Sequence, residues 1–183
     1  FIRGSCRLEI LSGYLYFVSN DFFVKIQDPY LKINYENTKR PHYFALKDKH
    51  TELYWLVPCS SKVEKFERLL QKKREQHKPT DTIKIVRIFG RETVLLFQDM
   101  FPVIDKYIDG QYSKGGQPVR IANPKIIQEM EKNAKKIINL LHRGVRFTPT
   151  QLDAVRIEKI MLTELRETGE SSVAVDTTSA LEP

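Results

Sequence analysis

Strands early and helices late predict an α+β fold: an antiparallel, barrel-like sheet that carries helices and ends in a helical pair. Three observations carry this expectation. Short aromatic and β-branched runs separated by turn residues fill the chain up to Pro118. Helical periodicity dominates after Pro118. A hydrophobic content of 41% with 10% aromatics in 183 residues is enough for one packed core.

Taken in order, Tyr14-Leu-Tyr-Phe-Val18 reads as a strand, and a second aromatic segment follows at Phe22-Phe-Val-Lys-Ile26. The polar stretch Asn34 to Pro41 reads as a loop. Residues 42–46 and 52–57 pair as a hairpin through the turn Lys47-Asp48-Lys49-His50. A helix over about 61–77 places Val63, Phe66, Leu69 and Leu70 on one face. Residues 83–89 and 93–97 form a second hairpin turning at Gly90, and a short strand follows near Tyr107-Ile108.

Asn123 is an N-cap with Pro124 at the first helical position, and Ile127, Met130, Ala134, Ile137, Ile138 and Leu141 share the buried face that follows. Thr148-Pro-Thr-Gln151 reads as a capping box for a last helix, with Leu152, Val155, Ile160, Met161 and Leu165 facing inward. Periodicity ends at Thr168. The chain therefore reads as one domain over 8–167, an upstream extension over 1–7 and a weakly ordered tail over 168–183.

Composition narrows the partners. Thirty Lys and Arg against 23 Asp and Glu give a net charge of +7, which favours polyanions. No apolar stretch is long enough for a bilayer, and there is no signal-peptide pattern. Two cysteines, Cys6 and Cys59, make no disulfide framework, and a reducing cytoplasm fits best. His42, His50, His77 and His142 are scattered without metal-ligand spacing, so neither a metal nor another cofactor is expected. His42 itself reads better as a packed or surface residue than as a groove residue. Lys114-Gly115-Gly116 lacks the flanks of a phosphate loop, and Ser60-Ser61 is not in a nucleophile elbow.

What remains is hydroxyl and lysine chemistry. Pro58-Cys-Ser-Ser-Lys-Val-Glu-Lys65 follows an aromatic strand and opens a basic helix. A helix start offers free N–H donors and the positive end of a dipole, so two hydroxyls and lysines there suit a phosphate. Ser61-Lys62-Val63-Glu64 is equally a capping box, and the two roles are compatible. This inventory suits RNA cleavage without a metal. RNA supplies its own 2′-OH nucleophile, and the enzyme must orient it and stabilise charge at phosphorus.

The chain resembles the type III toxin–antitoxin endoribonucleases, the ToxN/AbiQ/CptN group, over most of 14–165. The resemblance rests on Tyr16-Phe17-Val18-Ser19, on Tyr35-Glu-Asn-Thr-Lys-Arg-Pro41, on Val57-Pro-Cys-Ser-Ser-Lys62, on Met100-Phe-Pro-Val103 and on the C-terminal helical pair, in that order and spacing. It implies an elaborated Kid/MazF-like barrel. It also implies a metal-independent endoribonuclease toxin that leaves a 2′,3′-cyclic phosphate and serves phage defence or locus maintenance. Its partners would be RNA substrates and an inhibitory repeat-encoded pseudoknot RNA, held in a closed protein–RNA assembly, with no role for DNA or membrane.

Carried over by motif, the resemblance points to Tyr35, Lys39, Ser60 and Ser61 as catalytic. Where the family has a lysine two positions beyond the second hydroxyl this chain has Val63, which leaves Lys62 and Lys65 as the neighbours able to serve. Phe22 stands where the family can carry a tyrosine.

Further RNA contacts are expected from Arg40, from Lys72, Lys73, Arg74 and Lys78, from Lys132, Lys135 and Lys136, and from Arg143 and Arg146. Affinity for RNA through such contacts falls steeply with salt. Two other classes fit the same surface: a non-catalytic RNA-binding module and a basic protein–protein adaptor.

Overall fold

The computed structural model describes residues 8–176. Strand β1 (Leu15–Val18) leads through Ser19 into helix α1 (Asn20–Ile26). Phe22, Phe23 and Ile26 sit at helical spacing on the buried side of α1, while Val24 is 68% exposed. The aromatic segment is thus a helix of less than two full turns, closed by Gln27 in the left-handed region at φ 47.

Strands β2 (Pro41–Lys47) and β3 (Tyr54–Ser60) form the expected hairpin. Helix α2 (Val63–Glu75) follows, then the hairpin of β4 (Ile83–Ile88) and β5 (Arg91–Leu96). A 3-10 turn over Phe97–Asp99 separates β5 from β6 (Phe101–Val103), and another over Asp105–Tyr107 precedes β7 (Ile108–Gln111). A small hairpin, β8 (Ser113–Lys114) with β9 (Gln117–Pro118), precedes helices α3 (Pro124–His142) and α4 (Ala154–Asp176).

Seven strands make one antiparallel sheet in the order β4-β5-β3-β2-β1-β7, with β6 also on β3. Its ends, β4 and β7, do not pair, so the sheet is open, and of the expected barrel-like sheet the antiparallel order is what the structure shows. The α+β class stands, as an antiparallel sheet with four helices.

Most of the core lies between this sheet and helices α1, α3 and α4. Trp55, Tyr16, Tyr43, Phe22, Phe97 and Phe101 are its largest fully buried side chains. Each such side chain contributes about 1.5–3 kcal/mol of burial. A second cluster of Phe66, Leu70, Ile83, Val94 and Leu96 fastens α2 to the β4–β5 hairpin. Leu69, expected on that face, is exposed.

Helix α3 keeps its reading: the Asn123 side chain accepts the Lys125 N–H at 2.9 Å, with Pro124 at the start. The expected capping box at Thr148 fails. Gln151 turns inward, and its side-chain oxygen accepts the Phe147 N–H at 2.6 Å. Asp153 caps α4 instead, accepting the Arg156 N–H at 2.9 Å. Of the expected inward face, Leu152 and Met161 are buried and Val155, Ile160 and Leu165 half-buried. The helix continues past Thr168, whose hydroxyl donates back to the Glu164 carbonyl at 2.8 Å and so stays compatible with helix. Residues 1–7 and 177–183, parts of the expected extension and tail, lie outside the described residues.

Glu164 pins α4 to the sheet side. It is 6% exposed and accepts from the Tyr107 hydroxyl at 3.0 Å, from Lys25 at 2.8 Å and from Lys106. Burial opposes its ionisation, but Lys106, Lys25 and Tyr107 outweigh burial and hold its carboxyl below the usual range. A depressed carboxyl contributes stability above its unfolded pKa and loses it as pH falls through the folded value. Glu164→Gln is therefore expected to cost about 1–2 kcal/mol at pH 7. In denaturant titrations the gap between the two proteins should close as pH falls below the carboxylate range. A gap that persists at acid pH would contradict the ionic account.

Candidate functional site

The loop between α1 and β2 is held by Asn34. Its side-chain amide donates to the Val18 carbonyl and to the Asn20 side-chain oxygen, both at 2.9 Å, and its own oxygen accepts the Arg40 N–H at 2.9 Å. Arg40 then donates from Nε to the Ile33 carbonyl at 3.0 Å and lies over the Tyr35 ring, 4.4 Å from its centroid, while another guanidinium nitrogen donates to the Tyr35 hydroxyl. Tyr35 and Thr38 close a tight turn, with the Tyr35 N–H on the Thr38 carbonyl at 2.9 Å. The loop expected to be merely polar is therefore built, and it presents Tyr35 at 63% exposure.

The second wall is the exit of β3. Ser60 still pairs with Val94 of β5, and its Oγ accepts the Lys62 N–H at 3.2 Å. Lys62 takes the N-cap position of α2, with φ −82 and ψ 58 and no side-chain cap. The capping box expected at Ser61 is absent, because Ser60 has taken the N–H nearest the turn and the Val63 N–H turns back to the Ser61 carbonyl at 2.9 Å. The exposed Ser61 hydroxyl makes no hydrogen bond among the described residues. It is left available at a helix start, where anions are favoured.

These two walls meet. A cleft of about 390 Å³ is lined by Tyr35, Lys39, Arg40, Ser60, Ser61 and Lys62, and an adjoining one of about 160 Å³ by Tyr35, Arg40, Ser60, Lys62 and Lys65. All six residues singled out as catalytic thus border one or both of two clefts that share Tyr35, Arg40, Ser60 and Lys62, although 25 positions separate Tyr35 from Ser60 in the sequence. The open groove of about 690 Å³ between α2 and β4 contains none of them.

Within the site, Lys39 is ion-paired to Asp109 of β7 and half-exposed. The pair restrains Lys39, which lines the larger cleft. Lys65 rests 5.7 Å from the centre of the Phe66 ring. Cys59 lines both clefts, and burial pushes its thiol up to about 12, so it is no thiolate nucleophile at neutral pH. His42 is 1% exposed and packed edge-on against Phe101, and burial pushes its imidazole down to about 4. It is a neutral core residue and does not reach the groove.

Several cleft residues escaped the sequence reading. Arg91 and Lys114 line the larger cleft, Lys32 the smaller. Lys114 hangs from the β8–β9 turn, where Gly115 and Gly116 have φ 57 and 76, so its Gly-Gly flank served a hairpin. Phe89 also lines the larger cleft. It shares the two-residue β4–β5 turn with Gly90 at φ 51 and 77. Both central residues of such a turn need positive φ, which costs a bulky side chain about 1–2 kcal/mol. Nothing local in the sequence announces that a phenylalanine stands there at cost.

The outlying basic residues divide. Lys72, Arg74, Lys78, Lys132 and Arg143 are exposed. Lys73 is half-buried, donates to the Thr82 hydroxyl at 3.0 Å and has its pKa lowered by burial and by Lys78. Lys135 pairs with Glu131 at 2.7 Å, Lys136 pairs with Asp81, and Arg146 donates to the Gln151 carbonyl at 3.1 Å. These four have structural partners, and none of the ten except Arg40 borders the cleft.

Among the described residues no three His, Cys, Asp or Glu side chains gather as a metal site, and no helix is long and apolar enough to cross a membrane. The sequence matches no family model and no curated protein.

The Cys59 environment is open to a direct check. In a Cys6→Ser protein, Cys59 should resist a thiol-disulfide reagent at pH 8 while folded and react fully once denatured. Rapid labelling of the folded protein would contradict a thiol held protonated.

Proposed function

We propose that this protein is a metal-independent endoribonuclease, the toxin of a type III toxin–antitoxin system, built on an elaborated Kid/MazF-like sheet. The observation that carries the reading is the convergence of the Tyr35–Arg40 loop and the Ser60–Lys65 helix mouth on one cleft. Hydroxyls, a phenol and cations meet there around a helix start, which is the inventory that phosphoryl transfer to an internal hydroxyl requires.

In this mechanism the scissile phosphate lies at Ser60 and Ser61, whose hydroxyls donate to the non-bridging oxygens. The substrate's own 2′-OH attacks phosphorus in line and gives up its proton to a base, while the bond to the 5′-oxygen breaks and that oxygen is protonated. The products are a 2′,3′-cyclic phosphate and a 5′-hydroxyl. Lys39, steadied by Asp109, and Lys62 or Lys65 offset the charge that builds on phosphorus. Tyr35, steadied by Arg40, orients the nucleotide or a transferred proton. The exposed lysines of α2 and α3 suit an RNA antitoxin made from repeats, which would bridge neighbouring copies in a closed assembly in the bacterial cytoplasm.

Lys39→Ala and Ser61→Ala should each lower RNA cleavage by about a hundredfold or more while melting within a few degrees of the parent. Excess chelator should leave the parent active. Wild-type cleavage by the Lys39→Ala protein, or an absolute need for a divalent ion, would overturn the assignment.

A further inference from the structure

The cleft also contains a feature that phosphate chemistry leaves unused. Phe89 is 51% exposed at the tip of the β4–β5 hairpin, with its backbone in the left-handed region. Asn-Gly or Gly-Gly would close that turn without strain. An exposed, strained aromatic gains nothing for the fold, and costly conformations persist where a function holds them. Among the described residues Phe89 has no ring partner. Its neighbour Ile88, 2% exposed, anchors the hairpin in the main core, so the tip is carried on a fixed base.

The two clefts differ in chemistry. The larger one is bordered by Leu15, Val119, Tyr112 and Phe89 and also by the cations Lys39, Arg40, Lys62, Arg91 and Lys114, and its volume of about 390 Å³ falls within the range of small-ligand sites. The smaller one, of about 160 Å³, is bordered by four cations, Lys32, Arg40, Lys62 and Lys65. Ser60 and Lys62 belong to both. Cations line both clefts and suit phosphates, while the aromatics of the larger one, Phe89 and Tyr112, suit a planar ligand group beside them.

We infer that Phe89 is the stacking platform of a nucleobase subsite, in which the base of a single-stranded nucleotide lies in the larger cleft while the adjoining phosphate sits at Ser60 and Lys62. The inference rests on the reading of the cleft as an RNA site. Stacking on an aromatic face is tolerant of base identity. Phe89 therefore adds affinity, and selectivity falls to the polar side chains around the base, with Thr93 and Arg91 on the same wall.

The strain makes the test discriminating. The probes are fluorescently labelled hexamers of A, C, G and U with 2′-O-methyl groups, which cannot be cleaved, titrated by anisotropy at several salt concentrations. Phe89→Gly should melt at or above the parent temperature, because glycine relieves the turn, yet bind the best hexamer roughly tenfold more weakly. The slope of affinity against salt should be unchanged, because the phosphate contacts remain. Phe89→Trp should keep parental affinity. Equal binding by Phe89→Gly and the parent would overturn the subsite and leave the RNA reading standing. A parent protein that binds none of the four hexamers and cleaves no RNA would overturn both.

Discussion

Strand β3 is paired on both edges: β2 runs along one side, and β6 and then β5 along the other. Its middle is dry, with Trp55, Leu56 and Val57 at 0% exposure, and its last residues emerge half-buried at Cys59 and Ser60. A strand paired on both edges and buried on both faces has no freedom to slip, because a one-residue shift would exchange the side chains packed on its two sides. The position of Ser60 is therefore fixed by core packing several residues away. Helix α2 inherits that position and is held independently by Phe66 and Leu70 against β4 and β5. The Tyr35–Arg40 loop reaches the same place because Pro41 begins β2, and β2 pairs His42 with Pro58. The cleft is where two polar ends of one dry hairpin are brought side by side.

Much of this was legible in the sequence. Aromatic and β-branched runs bounded by turn residues identified β2 and β3, and Asn123-Pro124 identified the start of α3, because those signals act over a few residues. The cap signals at Ser61 and Thr148 misled for one shared reason. In each place a neighbouring side chain satisfied the backbone first: Ser60 for Lys62, and Gln151 with Asp153 for the turn before α4. Helix α1 hid its type because a segment of two turns or less gives periodicity too little length to speak. Whether the sheet closes depends on pairing between its most distant strands, and local pattern carries no information on that.

The site was legible in the same proportion. Tyr35, Lys39, Ser60, Ser61 and Lys62 come from two short runs, and the β2–β3 hairpin that joins them could be read directly. Phe89, Arg91 and Lys114 arrive from later hairpins, and only tertiary structure brings them to the cleft and Asp109 of a later strand to Lys39. The surroundings of the outlying basic residues were not legible. A lysine on a helix looks the same in sequence whether it faces solvent, as Lys72 does, or is spent on Asp81, as Lys136 is. Net charge reports the sum, while the pairing of each cation with an acidic neighbour is set by the fold.

The account's central claim is that the cleft uses the nucleophile carried by RNA itself. It is tested most directly by the ends left on a defined oligonucleotide, first mapped for its cleavage position and then remade with one 2′-deoxy nucleotide 5′ to that bond. The account predicts a 2′,3′-cyclic phosphate and a 5′-hydroxyl on the all-ribose strand, and complete resistance at that bond in the substituted one. Cleavage of the substituted strand, or ends bearing a 5′-phosphate, would contradict it.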